Sequence, residues 1–75
     1  MDKELIETLR EMYEQDYRMI DSSAEVVVEL GEVDYATNPT IKEYQRKGYK
    51  LVDANGFGEG ARQCGEFLVF IRIRE

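Results

Sequence analysis

The chain has 75 residues, with 16 acidic against 10 basic side chains, a formal net charge of −6, one Cys and neither His nor Trp. That length leaves room for one small domain, which buries only about 60% of its unfolded surface. A hydrophobic content of 43%, with five Tyr and three Phe, excludes a disordered chain. Without His there is no nucleophile–histidine pair and no Cys/His zinc site, and no spaced-carboxylate loop for Ca²⁺ is present. The expectation is a non-enzyme with no metal and no cofactor. The longest apolar run, Phe67 to Ile71, falls far short of the about 20 residues a membrane span needs. The lone Cys64 fits a reducing compartment, so a cytoplasmic protein without membrane partners is expected.

In residues 4 to 20, Leu5, Ile6, Leu9, Met12, Tyr13, Tyr17, Met19 and Ile20 recur at the spacing of an amphipathic helix. Acidic residues crowd its first turns, where they suit the helix dipole, and Asp21-Ser22-Ser23 ends it. Residues 24 to 33 predict a strand, because three consecutive valines favour an extended chain. A helix competes for the same stretch, with Ser22-Ser23-Ala24-Glu25 as a capping box and Gly31 as its end. Thr40-Ile41-Lys42-Glu43 makes a second capping box. With Gly48 as terminator it predicts a short helix over 41 to 47, with Ile41 and Tyr44 inward. Strands follow at 49 to 54 and 66 to 74, joined by Asn55 to Gly65 as a glycine-rich mobile loop.

These elements make an α+β domain: an N-terminal helix, then β-α-β-β. A right-handed crossover lets the last strand insert between the first two, giving strand order 1-3-2 with both helices on one face. Residues 24 to 74, through YQRKGYKLV (44 to 52) and the terminal FLVFIRI, resemble a family of small bacterial and phage strand-helix-strand-strand domains of unknown function. In that family a helix ends in Gly and is followed by Trp-Glu-Leu-Val. Gly48, Leu51 and Val52 match, while Tyr49 and Lys50 depart. The resemblance implies a fold and no activity.

Residues 1 to 40 hold 11 acidic and 3 basic side chains, and residues 41 to 75 hold 5 acidic and 7 basic. Such asymmetry suits either an acidic surface for a cationic partner or a solvated helix face. If both helices cover the sheet face of Val26, Val28, Leu30, Phe67, Val69, Ile71 and Ile73, the other face exposes Val27, Leu68 and Phe70. A rim of Glu25, Glu29, Arg72 and Arg74 would surround them. That face reads either as an interface or as ordinary solvated sheet. The expected function is therefore a protein-binding module acting by surface occupation. A phage or mobile-element inhibitor or regulator of a host protein works in that way, and so does a homodimer.

The alternative is nucleotide or single-stranded nucleic-acid binding through Lys42, Arg46, Lys47, Lys50, Phe57 and Arg62, where cations alternate with aromatics. A net charge of −6 opposes it. The Gly56–Gly60 stretch lacks the following helix that a phosphate loop requires, and Cys64 has no neighbouring base.

Overall fold

A computed structural model describes residues 2 to 74. The elements run α1 (Lys3–Arg18), β1 (Glu25–Leu30), α2 (Pro39–Arg46), β2 (Tyr49–Glu59) and β3 (Arg62–Arg72). The three strands form one antiparallel sheet in the order β1-β3-β2, as the topology argument requires. The valine run of β1 is a strand, not a helix.

Local chemistry sets the boundaries. Asp2 caps α1, its carboxylate accepting from the Glu4 N–H at 2.9 Å. The helix stops at Arg18, two residues short of the expected end, which leaves Met19 and Ile20 in solvent. α2 begins earlier than the Thr40 box implies, because Asn38 is the cap and Pro39 occupies the first helical position. The Asn38 side chain accepts from the Ile41 N–H at 3.0 Å. Thr40 instead donates its hydroxyl to Glu29 at 3.2 Å.

Two expectations are overturned. Asn55 to Gly65 is not a mobile loop, since β2 and β3 continue through it, with Phe57 opposite Gly65 and Glu59 opposite Arg62. Only Gly60 and Ala61 turn the chain, Gly60 at φ +59°, the placement a type II′ hairpin turn uses. Gly58 and Gly65 sit where backbones approach: a Cβ on Gly65 would lie 2.4 Å from the Glu29 carbonyl oxygen.

The second correction concerns the layers. Side chains alternate along β3, so Phe67 and Val69 point to one face and Leu68 and Phe70 to the other. Ile6, Leu9, Tyr13 and Tyr17 of α1 pack on Val26, Phe57, Phe67 and Val69. Ile41 and Tyr44 of α2 pack on Leu68 and Phe70 across the sheet. The helices therefore cover opposite faces, and Leu68 and Phe70 are 0% exposed. Placing both helices on one face would leave those two in water, at about 1.5–3 kcal/mol each. The Tyr44 ring stacks on Phe70 with centroids 4.3 Å apart, and Tyr13 tilts against Phe67 at 5.3 Å.

The close hairpin gives a direct check. A Cβ on Gly58 would lie 1.9 Å from the Arg62 carbonyl oxygen, whereas one on Gly56 would meet only the Gln63 side chain at 3.5 Å. Gly58→Ala and Gly65→Ala should each lower stability by about 1–3 kcal/mol in urea unfolding, with Gly56→Ala showing no such loss. Equal effects at all three would restore the mobile loop.

Candidate functional site

β3 pairs on both sides, so β1 and β2 are edges with unpaired backbone groups facing out. β2 is broken by register shifts at Leu51/Asp53 and Phe57/Gly58, which blunt its edge. β1 is managed differently. The Gly31 N–H donates to the Cys64 carbonyl at 2.9 Å, so the odd-numbered residues of β1 bond to β3 and the even-numbered ones turn outward.

α1 covers the first part of that outward edge with one row of side chains. Arg18 Nε donates to the Ala24 carbonyl at 2.9 Å, and Arg10 Nη1 donates to the Val26 carbonyl at 3.2 Å. Glu14 Oε2 accepts from the Val26 N–H at 3.1 Å and from Arg10 Nη1 at 3.1 Å. Glu14 Oε1 lies 3.3 Å from Arg18 Nη2. An arginine–glutamate–arginine row thus takes the place of a fourth strand. Beyond Val26 the cover ends, although Lys3 and Glu7 continue the row, because Glu7 turns to Arg10 Nε at 2.8 Å. Val28 and Leu30 face out beside an apolar groove of about 590 Å³ lined by Ile6, Phe57 and Cys64, with Lys3 and Glu7 at its rim. Leu30 is 71% exposed.

A second surface lies at the other end of α1. The Tyr17 hydroxyl donates to Asp53 Oδ2, Asn55 Nδ2 lies 3.4 Å from the same oxygen, and Asp53 Oδ1 accepts from the Ala54 N–H at 2.9 Å. The Tyr17 hydroxyl holds the Asp53 carboxyl below the usual carboxylate range, with help from the Ala54 N–H and the Asn55 amide. The same bond pushes the Tyr17 phenol up. Tyr17 and Asp53 share a depression of about 340 Å³ with Ile20, Val52 and Ile71. Val52 is thrust outward by the register shift beside it.

The residues expected to form an exposed apolar centre do not. Leu68 and Phe70 lie under α2, and Val27 is half-buried against the same cluster. Glu25 stands close to Tyr44, whose phenol is pushed up by burial first and by Glu25 second. Glu29 is taken up by Asn38 Nδ2 and the Thr40 hydroxyl, both at 3.2 Å. Arg72 lies over the Tyr49 ring at 5.0 Å, and Arg74 bridges to Asp21 at 3.4 Å. No Glu–Arg rim forms.

The basic–aromatic set is not brought together either. Lys42, Arg46 and Lys47 lie on the outer side of α2, while Arg62 lies at the hairpin tip, about 30 Å of strand away from Lys50. Phe57 is buried beneath α1 and offers no face for a base. Sequence reasoning missed the Tyr17–Asp53–Asn55 cluster because its partners are 36 positions apart. The missed edge cover had one visible signal: Arg10, Glu14 and Arg18 recur every fourth residue.

A family model described as a mucin binding domain matches residues 28–67, from the uncovered end of β1 through α2 and β2 into β3. The match lies within residues 24 to 74, where a family resemblance was expected, but its description is mucin binding, and it says nothing of phage domains of unknown function. Neither a curated protein nor a solved structure matches the chain. Among the described residues, no helix is long and apolar enough to cross a membrane, and no group of three His, Cys, Asp or Glu could hold a metal ion.

Two measurements follow from this geometry. Glu14→Ala strips the half-buried Val26 N–H of its partner and should cost about 1–3 kcal/mol in chemical unfolding, more than an exposed helix Glu such as Glu11. A carboxyl whose folded pKa lies below its unfolded value of about 3.9 stabilises the fold above that pH. The stabilisation fades as pH falls through the folded value. Tyr17→Phe should therefore flatten the acid limb of a stability–pH profile below about pH 4.

Proposed function

Since the chain belongs to the mucin binding domain family, we propose that it is a non-enzymatic recognition module for a mucin-type glycoprotein, holding a glycan at the Tyr17–Asp53 depression. Mucin-like stalks are Ser/Thr-rich chains covered with O-linked sugars. A sugar offers neighbouring hydroxyls that need fixed donors and acceptors, and C–H faces that need apolar contact. The observation that carries the reading is Asp53, fixed by three hydrogen bonds inside an apolar rim of Ile20, Val52 and Ile71.

A carboxylate has about four acceptor positions, so Asp53 keeps one for a ligand. A few placed polar groups among apolar walls are what a small-ligand site uses for orientation. Such a module works by occupying a surface, in keeping with the expected binding role. A mucin-type partner is met outside the cell, so this reading departs from the cytoplasmic location suggested by the lone Cys64.

The test is calorimetric titration with an O-glycosylated mucin fragment and with the same fragment deglycosylated. The glycosylated form should bind and the stripped form should not. Asn55→Ala removes one of the bonds that fix Asp53 and should weaken binding about tenfold, with only a small shift of the unfolding midpoint. Affinity should barely change between 50 and 200 mM salt, unlike nucleic-acid binding, which falls steeply over that range. Equal binding of both forms, or of neither, would overturn the proposal.

A further inference from the structure

We infer that the uncovered end of β1 is a docking edge for an extended segment of a partner polypeptide, which adds as a fourth strand and places apolar side chains in the groove beside α1. This site lies at the opposite end of α1 from the glycan depression and does not depend on it. The first observation is the abrupt end of the edge cover. Ala24 and Val26 have their outward backbone groups bonded to Arg10, Glu14 and Arg18. Among the described residues, nothing bonds the outward N–H and C=O of Val28 or Leu30. Four main-chain groups in one line are what strand addition uses for affinity.

The second observation is the groove, which gives side-chain selectivity. Val28 and Leu30 point to the α1 face, so partner residues paired with them would point the same way, toward Ile6, Phe57 and Cys64. The partner residue between them would point to the opposite face, where Glu29 stands with Asn38 and Thr40. Apolar, basic, apolar is the three-residue pattern this edge selects. The net charge of −6 favours the same basic centre.

A second copy of the chain fits less well. Pairing β1 with itself about Glu29 sets that carboxylate directly against its own copy. Pairing about Val28 sets Leu30 of one copy against Val26 of the other, whose outward groups are already taken by Arg10 and Glu14. Gly31, at φ +79°, then turns the chain away from the edge.

The probe is an acetylated and amidated Ser-Val-Lys-Val-Ser peptide, titrated to millimolar concentration against ¹⁵N-labelled protein. The amide protons of Val28 and Leu30 should shift and gain at least tenfold protection from hydrogen exchange, while Val26 changes little. Leu30→Pro removes one outward N–H from an edge position that tolerates Pro, and should abolish the effect with the fold retained. A peptide N-methylated at alternate amides provides the same check without altering the protein. Absence of protection at Val28 and Leu30, or shifts centred on Tyr17 and Asp53, would overturn the inference. So would prior protection of both amides in a peptide-free dimer, detected by sedimentation.

Discussion

The structure depends on one constraint: β3 is apolar on both faces. Phe67 and Val69 on one side and Leu68 and Phe70 on the other are at most 2% exposed. A central strand of this kind needs cover above and below, and the chain has one helix for each side. α1, about 24 Å long, closes the face carrying Val26, Phe57, Phe67 and Val69. The shorter α2 closes the other through Ile41 and Tyr44. The 1-3-2 strand order follows, since a strand apolar on both faces is best buried with neighbours on both sides.

Putting β3 in the centre makes β1 and β2 the edges, and the two are protected by different chemistry. β2 is bent by register shifts, one of which exposes Val52 at the rim of the Tyr17–Asp53 depression. β1 stays regular and relies on Arg10, Glu14 and Arg18, whose charges satisfy backbone groups rather than merely one another. Isolated exposed ion pairs contribute little, but here Glu14 completes the hydrogen bonding of a half-buried N–H. That cover reaches Val26 and stops. Both surfaces follow from how the edges are protected: the bulge that blunts β2 exposes Val52, and the cover of β1 stops before Val28.

Much of the fold was legible because the chain is locally consistent. The spacing of Leu5, Ile6, Leu9 and Tyr13 gave α1, the valine run gave β1, and Ile41 and Tyr44 pointed inward as expected. The layers were not, because alternation along β3 separates two faces without saying which helix takes which. The both-sided apolarity of residues 67 to 71 contained the answer. Gly56, Gly58 and Gly60 read as a loop, since sequence cannot separate glycine needed for a turn from glycine needed for close approach. The sites were the least legible. Alternation along β3 puts Leu68 and Phe70 on a face that α2 buries, and the Tyr17–Asp53 contact exists only once α1 lies on the sheet.

Native-state amide hydrogen exchange across residues 24 to 31 of the unliganded protein tests the half-covered edge most directly. Val27 and Glu29, bonded to β3, serve as internal references. The account predicts protection at Val26, through Glu14, with Val28 and Leu30 exchanging at least about a hundredfold faster than those references. Protection at Val28 and Leu30 equal to that at Val27 and Glu29, or a Val26 amide as open as Val28, would contradict it.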